Sequence, residues 1–342
     1  MRVFKQTNKQ IDMKNKLLAV LATLSMVASA SAVKVNDNLS INGFIDGSYN
    51  LTESGVQGVD DTQGLGLDEV ELNFVTNVGN VSGLVAIDNN DPAGAAGNED
   101  LNIEQAHFTY NINDAVSVTF GRYGSALGFE REDPAGLYTY SRAYGGLSGS
   151  SFNSGNVDAN VVEGISLGYS ADNYTIAASF HEAADADLET EDLNLELSFT
   201  YTGIAAFNIG GGFLFDNTDV AAGETDVLNI HVSRQLGKLL LAGEYTQRDT
   251  SGSTTAANNR ENDGYLLLAD YDVNDKFGFA VRFSNNENGA NDDYESLTIA
   301  PNYAITDSLG AIFEYSDFEG ADTTGGNAAE GEAYAVELTY TF

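Results

Sequence analysis

The chain has 342 residues, and its 51 acids against 15 bases give a formal net charge of −36. It has no Cys, which excludes a disulfide framework, a thiolate metal site and a Cys nucleophile. The acidity argues against nucleic acid as a partner, because phosphate binding needs clustered Lys and Arg. The 17 Tyr and 18 Phe argue against intrinsic disorder and, with 36 Gly and 3 Pro, favour strands.

Residues 13–32 begin with Met13-Lys14-Asn15-Lys16, continue as an apolar run from Leu17 to Ala30, and close on Ala30-Ser31-Ala32. A basic start, an apolar stretch and an A-x-A ending make a secretory signal peptide. The run is too short to cross a bilayer as a helix, which takes about 20 residues. Cleavage is expected after Ala32, with residues 1–12 an upstream extension and Met13 the more natural start. The first 32 residues hold five bases and one acid, so residues 33–342 keep 50 acids and 10 bases, a net charge of −40. No later segment has the 18 apolar residues of a transmembrane helix. A secreted protein, a periplasmic protein or an outer-membrane β-barrel remains.

From residue 38 the polarity alternates with a period of two, in segments separated by turn residues. Sixteen strands are expected: 38–51, 66–78, 81–90, 101–112, 115–128, 159–170, 174–182, 192–202, 204–216, 225–236, 238–249, 262–273, 276–286, 293–304, 308–318 and 331–342. In the last, Tyr334, Val336, Leu338, Tyr340 and Phe342 share one face, against Ala335, Glu337, Thr339 and Thr341. One apolar and one polar face make a half-buried strand.

A soluble sandwich has the same local pattern; three features favour a membrane barrel. Short turns such as Gly79-Asn80, Asn113-Asp114, Gly203, Gly237, Asn274-Asp275 and Thr306-Asp307 alternate strictly with longer loops, which puts both termini on the short-turn side. Aromatic residues recur near strand ends, among them Tyr49, Tyr110, Tyr169, Tyr201, Tyr271 and Tyr303, as in interfacial girdles. The chain ends on Tyr340-Thr341-Phe342, similar to the signal by which outer-membrane barrels engage their assembly machinery, with Phe342 as the contact. The expected fold is therefore all-β: one domain, residues 33–342, a 16-stranded antiparallel transmembrane β-barrel with short periplasmic turns and long outer loops. Sixteen strands leave an aqueous channel. Too few residues precede the first strand to form a plug, so the lumen is expected to be open unless a loop enters it.

Alternation places Asp46, Glu69, Glu71, Asp88, Glu196, Glu244, Asp270, Glu314 and Glu337 on the lumen face, against Arg248 and Arg282. Such acids either bias ion passage or are plain solvated strand faces. The longest loop, 129–158, is the third on the outer side and is expected to fold inward. Arg122, Arg131 and Arg142 lie around it, with Glu130, Glu132 and Asp133 close by. These groups either set a field across a constriction or pin the loop to the wall. Glu182, Asp185, Asp187, Glu189, Glu191 and Asp192 form an acidic loop, read as solvated rather than as a metal site. No metal or cofactor is implied.

Several segments carry a resemblance. Gly43-Phe44-Ile45-Asp46-Gly47-Ser48-Tyr49, Asp68-Glu69-Val70-Glu71-Leu72-Asn73, Gly121-Arg122-Tyr123, Gly128-Phe129-Glu130 and Tyr140-Ser141-Arg142 resemble the beta-barrel porin-2 (OmpL-like) family. The resemblance implies a Gram-negative outer-membrane channel for ions and small hydrophilic solutes, set in outer-membrane lipid. The architecture shared with general porins implies a homotrimer. From the charge balance, passive diffusion with cation selectivity is expected. The alternatives are a non-conducting structural or adhesive barrel and an outer-membrane hydrolase. The hydrolase is the weaker, because His107, His181 and His231 are isolated on polar strand faces with no nucleophile motif beside them.

Overall fold

The computed structural model describes residues 32–90, 101–131, 134–143, 161–183, 193–217, 224–252, 260–288, 292–322 and 327–342. The signal segment through Ser31, Glu132, Asp133, residues 144–158 of the third long loop, and the acids from Asp185 to Asp192 lie outside them.

Seventeen strands form one sheet. They are β1 (Val33–Lys34), β2 (Leu39–Ser54), β3 (Thr62–Val78), β4 (Val81–Asn90), β5 (Asn102–Asn111), β6 (Val116–Gly124), β7 (Val161–Ser170), β8 (Tyr174–Ala183), β9 (Asn194–Tyr201), β10 (Phe207–Phe215), β11 (Glu224–Leu236), β12 (Leu239–Ser251), β13 (Arg260–Asp272), β14 (Phe277–Asn288), β15 (Asp292–Ala304), β16 (Leu309–Asp322) and β17 (Asn327–Thr341). Each strand from β2 to β17 pairs antiparallel with its sequence neighbours, and β17 returns to pair with β2. Sixteen strands therefore close a ring. The two-residue β1 adds to β2. At the seam the last residue completes the ladder: Gly43 N donates to Phe342 O, and Phe342 N to Gly43 O, both at 3.0 Å. Closure satisfies every strand edge, which is the condition for crossing hydrocarbon with strands.

Most expected strand ends agree with the observed ones, and the departures have local causes. The strand expected over 115–128 stops at Gly124, because Ser125–Gly128 leave the wall and turn into the barrel. The single-residue turn expected at Gly203 is a longer one over residues 202–206, closed by Ala206 at φ 63°.

Three of the short turns reuse one device. In Ile112-Asn113-Asp114-Ala115-Val116, Asn113 Oδ1 accepts from Ala115 N (2.8 Å) and Val116 N (3.0 Å), while Ile112 N donates to Val116 O (2.9 Å). Val273-Asn274-Asp275-Lys276-Phe277 repeats this bond for bond, and Ile305-Thr306-Asp307-Ser308-Leu309 repeats the main-chain bond with Thr306 Oγ1 accepting from Ser308 N alone. A short polar side chain capping its own turn makes each hairpin self-sufficient in register.

The apolar faces point outward. Leu65, Phe108, Phe120, Leu167, Phe180, Leu197, Ile230, Phe313 and Leu338 are all exposed, and aromatic pairs such as Phe108–Phe120, Tyr169–Tyr174 and Tyr271–Phe279 stand on the outer wall. An apolar belt running around a molecule is untenable in water and is what a bilayer covers.

Two bulges interrupt the ladders. Asp46 pairs with Glu69, but the next residue, Gly47, pairs with Leu67, so Asp68 is an extra residue on β3. Ala86 pairs with Gln105 and Ile87 with Ile103, so Glu104 is extra on β5. Each bulge shifts the inward parity of its strand by one. Leu65 and Leu67 face outward on one side of the first, while Glu69, Glu71 and Asn73 face inward on the other.

Candidate functional site: the lumen and its strap

After Gly124 the chain crosses the barrel interior as a strap, visible through residues 125–131 and 134–143. Its contacts run around the inner wall. Ser125 Oγ donates to Glu196 Oε2 on β9 (2.7 Å), and Ala126 N to the other oxygen of that carboxylate (3.1 Å). Gly128 N donates to Asn229 Oδ1 on β11 (3.3 Å) and Phe129 N to Glu244 Oε2 on β12 (2.6 Å). Glu130 reaches Arg282 on β14, with Arg282 Nη1 3.1 Å from each carboxylate oxygen and both side chains buried. Ser141 N donates to Glu314 Oε2 on β16 (3.0 Å). Finally Tyr140 OH accepts from Ser48 Oγ (3.1 Å) and Asn50 Nδ2 (3.2 Å) on β2. Burial pushes the Tyr140 phenol above its ordinary range, with the Ser48 hydrogen bond opposing.

Arg282 is the centre of this fastening. The same guanidinium donates to Thr139 Oγ1 (2.7 Å), Ser141 O (2.6 Å) and Ser141 Oγ (2.8 Å). It thus holds both limbs of the strap, residue 130 and residues 139–141, against one strand. Ala143 N donates to Glu130 Oε2 (2.7 Å) and ties the limbs to each other. Apolar contacts reinforce the track: Leu127 packs on Leu214 and Val227, and Phe129, Tyr138 and Ala143 on Leu266, Leu268 and Ala242. Phe129 stacks on Tyr138 and lies 6.0 Å from the His231 ring. Between the strap, β6–β9 and β11 a recess is lined by Tyr123, Arg131, Ser166, Ser179, Glu196 and His231.

The candidate residues fall into two groups. Glu130, Glu196, Glu244, Arg282 and Glu314 meet at the strap as its anchors. Arg131 donates to Ala126 O and Arg142 to Glu130 O (3.2 Å), so these two bond main-chain carbonyls of the strap itself. Asp46, Glu69, Glu71, Asp88 and Glu337 stand on the inner faces of β2, β3, β4 and β17, around the place where Tyr140 of the strap meets β2. Asp46 also accepts from Thr339 Oγ1 (3.2 Å), and Asn73 Nδ2 bonds Glu71. Arg122 is in register with Ala106 and Glu163 on the ladders of β6, within electrostatic reach of Asp88. Asp270 and Arg248 lie on β13 and β12.

Sequence reasoning missed Asn229, Thr139, Ser141 and Tyr140 as anchors. Asn229 is central: its Nδ2 donates to Glu244 Oε1 (2.9 Å) and Thr246 Oγ1 (2.8 Å) and so orients the carboxylate that receives Phe129. A signal was present at the landing sites. Phe213-Leu214, Val227-Leu228 and Leu266-Leu267-Leu268 are apolar on both faces, which a strand with a purely aqueous inner side has no reason to be.

The sequence model of the family described as Putative beta-barrel porin-2, OmpL-like, matches residues 38–342. Among solved structures the chain is similar to the outer membrane channel DcaP of Acinetobacter baumannii, with a TM-score of 0.66 and 13% identity over 91% of this chain and 100% of that one. OmpF of Salmonella typhi, in a complex with daunomycin, gives 0.64 and 12% over 91% and 100%. Outer-membrane expressed OmpT of Vibrio cholerae gives 0.60 and 14% over 91% and 100%. At these identities the likeness is one of fold. No curated protein sequence matches. The family match takes in β2 to β17 whole, and the ring it covers is closed, antiparallel and apolar outside: the chain belongs to the OmpL-like beta-barrel porin-2 family and is a porin-type barrel of the Gram-negative outer membrane.

Proposed function

We propose that this barrel passes ions and small hydrophilic solutes by passive diffusion and prefers cations. The observation that carries the reading is the division of lumen charge. The strap engages Glu196, Glu244 and Glu314 as acceptors and pairs Arg282 with Glu130. The inner faces of β2, β3, β4 and β17 keep Asp46, Glu69, Glu71, Asp88 and Glu337. Selectivity is set by the charge that lines the narrow passage, and low-dielectric walls focus that charge on the permeating ion. Arg122, Arg131 and Arg142 oppose this; with Glu130 paired to Arg282, the acids left close to them in sequence are Glu132 and Asp133, which are read as offsetting them in part. The strap is read as the constriction of the channel.

The chain is read as a channel rather than an enzyme. His181 bonds Ser179 Oγ (2.9 Å) and His231 bonds Asn229 Oδ1 (3.3 Å), on separate strands, in wall contacts rather than in a catalytic constellation. Residues 1–32 are read as an export signal cut after Ala32, Phe342 as the contact for the barrel-assembly machinery, and the working unit as a homotrimer.

The test is a reversal potential across a planar bilayer under a KCl gradient. A cation-selective sign supports the proposal; an anion-selective sign means that the Arg residues control the passage, and the absence of channels overturns the diffusion reading. Mass spectrometry of the mature N-terminus checks the cut, which fails if the chain begins at Met1.

A further inference from the structure

We infer that Asp68, the extra residue of the β3 bulge, is a selectivity-determining residue of the pore; the inference rests on the diffusion-channel reading above.

The register is the first reason. Strict alternation continued from Leu65 and Leu67 puts Asp68 inside, but Glu69 and Glu71 outside. Alternation continued from Val70, Leu72 and Phe74 puts Glu69 and Glu71 inside, but Asp68 outside. The bulge removes the choice. Because Asp46 faces Glu69 and Gly47 faces Leu67, both Leu65 and Glu69 keep their proper sides and Asp68 absorbs the shift. Its place is given by register and burial: it sits opposite the Asp46–Gly47 step of β2, beside the inward Glu69, with its Oδ2 buried, and Ser48, the next residue of β2, bonds Tyr140 of the strap. Asp46 and Glu337 belong to the inner wall at the β2–β17 seam. Tyr140 is the strap residue that reaches β2. Asp68 is therefore level with the point where the strap meets the opposite wall.

Function follows from placement. A bulge adds a carboxylate without displacing Glu69, so two successive side chains contribute charge where an unbulged strand contributes one. It does so where the strap tip narrows the passage, and a charge at the narrowest point weighs most on the passing ion. A unit charge several ångström from the ion path in a water-like dielectric, screened by about 0.1 M salt, changes the cation-to-anion permeability ratio by about two- to threefold.

The chain has no Cys, so a single introduced thiol is free of background. The experiment is Asp68→Cys in the full-length protein, folded and reconstituted in a planar bilayer, with Leu67→Cys as the lipid-facing comparison. Asp68→Cys is expected to lower the permeability ratio about two- to threefold. An anionic methanethiosulfonate added from water restores the ratio, and a cationic one of similar size lowers it further. Leu67→Cys reacts with neither. The inference is overturned if Asp68→Cys channels open normally but ignore both reagents, or react with no change in ratio. A wild-type pore that conducts without cation preference refutes the selectivity proposed above; reaction at Asp68→Cys with opposite effects of the two reagents still upholds this residue. If Asp68→Cys does not fold, Asp68→Asn supplies the same reading: its ratio falls if the inference holds and is unchanged if it does not.

Discussion

Removing Arg282 tests the strap most directly. Its guanidinium faces the Glu130 carboxylate at 3.1 Å, with side chains 1% and 2% exposed, and also serves Thr139 and Ser141. Breaking a buried pair by deleting one partner costs about 3–5 kcal/mol, because the remaining charge is left uncompensated. The sixteen-stranded ladder does not depend on this contact, so the cost falls on strap docking. At about 1.4 kcal/mol per tenfold, a loss of about 3 kcal/mol raises the undocked population by on the order of a hundredfold. Arg282→Ala should therefore fold, keep its heat-modifiable mobility on gels, and show higher and noisier single-channel conductance. The double variant Arg282→Met with Glu130→Leu removes both charges and should lie closer to the wild type than either single variant. Wild-type conductance in folded Arg282→Ala at all voltages would refute the tether.

Other outcomes follow from the wall and the charge. Leu197→Arg places a cation on the lipid face and should cost about 2–4 kcal/mol, read as lost insertion into vesicles; Ser198→Arg, on the inner face, should insert normally and move the reversal potential toward anions. Gly121 has φ 124°, and a Cβ there would lie 2.3 Å from Ala106 O, so Gly121→Ala should lower the urea midpoint by the equivalent of more than about 1 kcal/mol. An unchanged midpoint would mean that the backbone relaxes freely there. Cation preference should decline between 0.1 M and 1 M KCl, as the screening length falls from about 10 Å to about 3 Å; a salt-independent ratio would point to a steric filter.

What alternation made legible was the ring: strand number, orientation and most strand ends. The short turns were legible for the same reason, since Asn113, Asn274 and Thr306 cap their turns locally. The bulges were legible in principle. The outward parity changes from Leu65 and Leu67 to Val70, Leu72 and Phe74 on β3, and from Leu101 and Ile103 to Ala106, Phe108 and Tyr110 on β5. In each case adjacent polar residues, Asp68-Glu69 and Glu104-Gln105, mark the change. The strap's partners were not legible. The three Arg residues near the loop suggested local pairing, yet Glu130 pairs with Arg282, 152 positions away. That contact exists only because closure brings β14 to face a loop that leaves β6, and no spacing within the sequence encodes it.

The strap also dates itself in the assembly of the molecule. It leaves the wall at residue 125, yet its partners at Glu196, Glu244, Arg282 and Glu314 belong to strands that come later in the chain, and Tyr140 then turns back to Ser48 on β2. Glu314 and Ser48 become neighbours of one loop only after β17 has zipped to β2. The strands from β9 to β14 can offer their anchors before the ring closes, but the whole track from β9 round to β2 exists only once the seam has formed. Complete docking of the strap is in this sense a record of closure: a molecule whose seam is still open cannot yet hold it at Glu314 and at Ser48 together.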